Sequence, residues 1–128
     1  MSVEQRTVVH TYEEYQQALQ SAQTPLFVYV IGTRDQDGNS WCPDCVKVDE
    51  AVRAQVAQRN AVLLEAQVPR EGYKNCPDNA YRVDAQLKIN SVPTLLLFAS
   101  PSEVVARAQD DELLDEATYA RFDVSGSD

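Results

Sequence analysis

The chain has 128 residues, 44% of them hydrophobic, and a formal net charge of −9. That length fits one domain with a core that needs no disulfide support, and the acidic balance disfavours nucleic acids and anionic membranes as partners. Its cysteines number 3, an odd count that suits a reducing, cytoplasmic setting better than a secreted disulfide framework.

Met1 to Arg6 is polar and no apolar stretch follows, so a secretory leader is not expected. The longest apolar run, Leu26 to Ile31, is too short to span a bilayer. The expectation is a soluble monomer. Asp110, Asp111, Glu112, Asp115, Glu116 and Asp123 concentrate acid near the C-terminus and read as a solvated helix face.

In chain order, Thr7 to Val9 reads as a short strand. Thr11 and Glu14 have capping-box spacing, so a helix should run to about Ala22 with Tyr15, Ala18, Leu19 and Ala22 inward. Leu26 to Ile31 is apolar on both faces, as a central covered strand must be. Gly32 to Ser40 is polar and carries the turn signal Asp37-Gly38-Asn39. Pro43 suits the first turn of a helix, and that helix would carry Cys45, Val48, Val52 and Val56 inward.

Ala61 to Val68 is another apolar strand, and Arg70 to Asn79 is a loop. Asp78 is expected to cap a helix through Leu87, with Ala80, Val83 and Leu87 inward. Thr94 to Ala99 and Val104 to Ala106 read as a hairpin around Pro101-Ser102. Asp110 or Asp111 is expected to cap a final helix to about Phe122, and Ser125 to Asp128 reads as a frayed tail. Alternating strands and helices that end in a hairpin imply an α/β fold, with a mixed central sheet flanked by helices.

Within this frame, Trp41-Cys42-Pro43-Asp44-Cys45 places two thiols three positions apart where a central strand hands over to a helix. A helix start stabilises a thiolate through its dipole and free amides. Cys42 is therefore the more exposed attacking sulfur and Cys45 the resolving one. A structural disulfide is the bland alternative, but closing so small a ring stabilises little. Asp44 suits the first helical turn as an acid. It also opposes the dipole's effect on a neighbouring thiolate, and is a candidate for pKa tuning or proton transfer from Cys45. Trp41 is a candidate apolar wall for a docking substrate, or an ordinary packing residue.

Val92-Pro93-Thr94 is the second signal. A cis Val92–Pro93 bond before a buried strand would leave the Val92 backbone open to an extended substrate. Trp41, Pro43, Val92 and Pro93 form the candidate substrate-binding surface. Cys76 reads as a free loop thiol. Zinc held by Cys42, Cys45, Cys76 and His10 is disfavoured by their spacing, so no metal is expected. A Cys–His hydrolase would need His10 beside Cys42, and nothing in the sequence argues for that.

Together these residues resemble the thioredoxin superfamily, and more closely its small thioredoxin-related branch. The resemblance rests on Trp-Cys-Pro-Asp-Cys, on Val-Pro-Thr-Leu-Leu about fifty residues later, on Gly32-Thr33-Arg34-Asp35 with its polar loop to Ser40, on Cys45-Val46, and on Phe98. It implies a thioredoxin fold, a cytosolic disulfide reductase with Cys42 as nucleophile, Cys45 as resolving cysteine and Pro93 as cis-proline, and no bound cofactor. By the same resemblance the Cys42–Cys45 disulfide would receive electrons from NADPH through thioredoxin reductase. Activity would favour cystine and selected protein disulfides. Two departures from thioredoxin itself stand out. Pro43-Asp44 replaces Gly-Pro, and Leu26 to Gly32 holds no acid to accept the Cys45 proton. A binding protein that docks partners through Trp41 and Val92 without turnover is the alternative reading, and an isomerase or oxidant is the third.

Overall fold

The computed structural model describes residues 6–59 and 61–123. Five strands form one sheet in the order β1-β3-β2-β4-β5. These are β1 (Arg6–Val9), β2 (Leu26–Gly32), β3 (Val62–Val68), β4 (Thr94–Ser100) and β5 (Glu103–Gln109). β3 runs parallel to both β1 and β2, whereas β4 is antiparallel to β2 and to β5. The sheet is therefore mixed, with β2 at its centre.

Every residue of β2 is buried. An apolar strand buried on both faces requires cover on both. Helix α1 (Tyr12–Ser21) packs against β1 and β3, while α2 (Pro43–Gln58) packs against β2 and the segment after β5. Cys45, Val48, Val52 and Val56 form the buried stripe of α2, at the three- and four-residue spacing that a helix face needs. On α1, Tyr15 and Leu19 are buried, with Ala18 and Ala22 half-buried at the core's edge. The Thr11 hydroxyl accepts the Glu14 amide at 3.1 Å, and the Glu14 carboxylate accepts the His10 amide at 2.7 Å. The cap thus closes one residue earlier than the usual reciprocal box.

Two expectations are corrected. The helix expected from Asp78 to Leu87 is only α3 (Ala80–Val83), capped by Asn79, whose Oδ1 accepts the Tyr81 amide at 2.9 Å. It stops because the Asp84 carboxylate captures the amides of Gln86 and Leu87 at 2.8 and 2.9 Å, an alternative to helical bonding open to short acidic side chains. Val83, expected inward, is 63% exposed, while Tyr81 and Leu87 take the buried places.

The final helix is instead two 3₁₀ segments, Asp110–Leu114 and Glu116–Arg121. Asp110 has φ of 55°, outside the helical region. Its amide is held by the Pro93 carbonyl at 3.0 Å and its carboxylate by the Ser91 hydroxyl at 2.7 Å. Tertiary contacts thus set the backbone where periodicity alone suggested a helix start. Leu113, Tyr119 and Phe122 still reach the core. The tail from Ser125 to Asp128 lies outside the described residues.

Candidate active site

The carboxyl end of β2 delivers the chain into the polar segment and then into α2. Gly32 is required there by space. A Cβ on it would lie 2.6 and 2.8 Å from atoms of the Trp41 indole and 2.7 Å from the Ser40 hydroxyl. The segment beyond folds back on itself. Arg34 bridges to Ser40, the Asp35 amide donates to Asn39 O at 2.8 Å, and the Asp35 carboxylate accepts the amides of Asp37 and Asn39. Gly38, with φ of 86°, makes the turn that side chains resist.

Cys42 is the N-cap of α2 and Pro43 its first residue. The Cys42 amide donates to Ser40 Oγ at 3.1 Å. Its thiol points at the Val92 carbonyl oxygen, 3.5 Å away. Cys45 sits behind it, 1% exposed against 7% for Cys42, and its sulfur accepts the Gly32 amide at 3.5 Å. Both cysteines are free thiols, and they lie within hydrogen-bond reach of one another. Burial pushes the Cys45 thiol well above the ordinary thiol range, and the Gly32 amide and the Ser40 hydroxyl pull the other way. The two sulfurs thus occupy unequal positions, one at the helix mouth and one sealed beneath it.

The Val92–Pro93 bond is cis, and both residues are buried. The structure therefore brings together Cys42, Cys45, Pro43 and Val92, as the sequence suggested. Trp41 is placed differently from an exposed wall. It is half-buried, its indole N–H donates to Val68 O at 2.8 Å, and its ring lies 6.5 Å from that of Tyr73. Pro43 and Asp44 are exposed, so Asp44 faces water while Cys45 faces the core. Cys76 lies half-buried on the loop after β3. Among the described residues no cluster of three or more His, Cys, Asp or Glu side chains is arranged to hold a metal.

Sequence reasoning missed a buried charge network under the loop. Arg34 donates to Glu65 Oε2 at 2.9 Å and to both Asp49 oxygens at 2.8 and 3.0 Å. Arg6 adds a 2.9 Å bond to Glu65, Gln67 another at 2.8 Å, and the Tyr29 hydroxyl donates to Asp49 at 2.9 Å. Burial alone would raise both carboxyls, but the Arg34 hydrogen bonds outweigh it and hold Asp49 and Glu65 below the usual carboxylate range. The available signal was the pair Glu65 and Gln67, two polar residues at alternate positions of an apolar strand. Asp49 follows Cys45 by one helical turn, and Tyr29 stands in β2 with its phenol bound to it. The strand before the site thus carries a tyrosine tied to an ionised acid.

The family described as thioredoxin domain-containing protein 17-like, thioredoxin domain, matches residues 8–118. The chain belongs to the thioredoxin domain-containing protein 17-like family. Within that family the zebrafish (Danio rerio) thioredoxin domain-containing protein 17 is 35% identical over 108 residues, covering 82% of this chain and 86% of its own. The human protein of the same name is 34% identical over 100 residues, covering 76% and 80%. A thioredoxin from Halobacterium salinarum superposes with a TM-score of 0.55 at 19% identity, covering 96% of each chain, which shows the shared fold. The thioredoxin-like domain supports a thiol–disulfide oxidoreductase type of activity.

Proposed function

We propose that the chain is a cytoplasmic thiol–disulfide reductase working through the Cys42/Cys45 dithiol. The supporting observation is the asymmetry of that pair: both sulfurs are buried, but Cys42 caps α2 with 7% exposure, and Cys45 lies one turn below it with 1%. The Cys42 thiolate attacks one sulfur of a target disulfide, forms a new S–S bond and expels the other sulfur, which takes a proton. Cys45 then loses its proton and attacks Cys42 Sγ. The second target sulfur leaves as a thiol, and a Cys42–Cys45 disulfide remains. Two electrons have moved to the target. NADPH, through thioredoxin reductase, returns them.

The preferred targets are small disulfides such as cystine and certain protein disulfides. The loop from Thr33 to Ser40, clamped by Arg34, stands beside the dithiol and narrows the approach for a bulky disulfide. Val92 and Pro43 line the mouth, and no bound cofactor is needed.

The test is Cys45→Ser. With the resolving sulfur gone, the first step should stop at a covalent mixed disulfide on Cys42, visible as a reductant-sensitive adduct with cystine. A protein that binds partners without turnover would instead hold them equally well with both cysteines replaced, and that result would overturn the proposal.

A further inference from the structure

Val92 is the residue whose main chain faces the attacking sulfur, with its carbonyl oxygen 3.5 Å from Cys42 Sγ. It lies outside β4, which begins at Thr94, so no ladder bond holds it. Its place is set by its two neighbours. The Ser91 hydroxyl donates to the Asp110 carboxylate at 2.7 Å, and the Pro93 carbonyl accepts the Asp110 amide at 3.0 Å. The Thr94 hydroxyl donates to the Ser91 carbonyl at 2.6 Å and closes the turn from 91 to 94. One residue, Asp110, thus holds the chain on both sides of Val92.

Asp110 can anchor the turn because it is itself held. Gln109, just before it, pairs with Thr94 across the β4–β5 ladder. The Gln109 amide donates to Glu112 at 2.9 Å, Leu113 is fully buried, and Asp111 meets Lys47 of α2 at 3.1 Å. α2 is the helix that Cys42 caps. The segment after β5 therefore touches the turn on one side and the cysteine helix on the other. Asp110 also adopts a φ of 55°, in the left-handed region that Asp tolerates better than most side chains. Unfavourable backbone of this kind persists where the surroundings hold it, and such positions gather at functional sites. Here it lets the amide and the carboxylate of a single residue reach the two flanks of one turn.

A disulfide that exchanges with Cys42 must bring one of its sulfurs onto Cys42 Sγ, in the space that the Val92 main chain borders. The rate of such a step depends on how well the reacting atoms are aligned, and a small shift of the wall that guides them is costly. We propose that Asp110 is a positioning residue for this exchange: by holding Ser91 and Pro93 it fixes the Val92 main chain against Cys42, and with it the path of the incoming disulfide. No proton or electron passes through Asp110, and no bond to it changes. Its effect falls on the approach of the target and not on the intrinsic reactivity of the sulfur. The inference rests on the reductase reading above, with Cys42 as the attacking sulfur.

The test uses the full chain carrying Cys45→Ser and Cys76→Ser, so that Cys42 is the one thiol left and the first exchange stops at the mixed disulfide. Two rates are followed by mass in this parent: adduct formation with cystine, and alkylation by iodoacetamide, a reagent too small to need the Val92 wall. Asp110→Gly keeps a residue suited to positive φ but removes the carboxylate, and Ser91→Ala removes its partner. Each should slow the cystine adduct about tenfold, the effect of losing one hydrogen bond to a charged group, while alkylation holds at the parent rate. Asp110→Asn, whose amide oxygen still accepts from Ser91 and which tolerates the left-handed region, should keep the parent rate with cystine. Parent rates with cystine in Asp110→Gly and Ser91→Ala would overturn this role alone. A matching loss in alkylation would overturn it too, because it marks a general disturbance of Cys42, as would an Asp110→Asn variant as slow as Asp110→Gly. A parent that forms no adduct with cystine would overturn the proposed function and this role with it.

Discussion

At the scale of single residues, Gly32 and Trp41 are a matched pair. The indole occupies the space that any side chain at position 32 would need, and its N–H closes onto the β3 terminus at Val68. Gly32→Ala must push back the ring or the Ser40 hydroxyl, overpacking that costs about 1–3 kcal/mol. Trp41 is the chain's only tryptophan, so its emission reports this site alone. The variant should melt earlier and show red-shifted emission as the indole meets water. Unaltered emission with unaltered stability would mean that the contact is not needed. Asp44 belongs to the same scale. Its exposure on the solvent side of α2, with Cys45 on the core side, favours its role as an acid in the first helical turn over direct proton transfer.

At the scale of elements, the polar loop between β2 and α2 is held by Arg34 rather than by its own turn alone. The guanidinium joins the loop (Gly38 O, 2.9 Å), α2 (Asp49) and β3 (Glu65). Arg34→Ala would leave Glu65 fully buried beside Asp49 with their main partner gone, at a cost of about 3–5 kcal/mol near neutral pH. The sign of its pH dependence follows from the lowered carboxyls. In the parent they contribute stability above the ordinary carboxylate range and lose it as the pH falls through their folded values. In the variant burial prevails, and protonation relieves the penalty. Denaturant titrations should therefore show the gap between parent and variant shrinking as the pH is lowered through the carboxylate range. A gap independent of pH would contradict the clamp. This element was only half legible in the sequence. Arg34 and the turn at Gly38 could be read locally, but Glu65, Asp49 and Arg6 come from β3, α2 and β1, and no short-range pattern links them.

For the whole molecule, the legible parts were those whose chemistry is local. The apolar runs of β2 and β3, the valine stripe of α2 and the Cys-x-x-Cys at a helix start carry their meaning in a few adjacent residues. Parts fixed by distant contacts escaped. Asp110 leaves the helical region because Pro93 and Ser91 hold it, residues that lie nearly twenty positions earlier in the chain. The sheet positions the dithiol at the point where β2 leads through the polar loop into α2.

Selective reduction by the dithiol is the central claim, and NADPH oxidation in the presence of thioredoxin reductase tests it most directly, with cystine and insulin as alternative substrates. The wild-type chain should consume NADPH with cystine, hardly with insulin, and with neither once Cys42 is replaced by serine. NADPH consumption that persists without Cys42, or none with cystine at all, would contradict it.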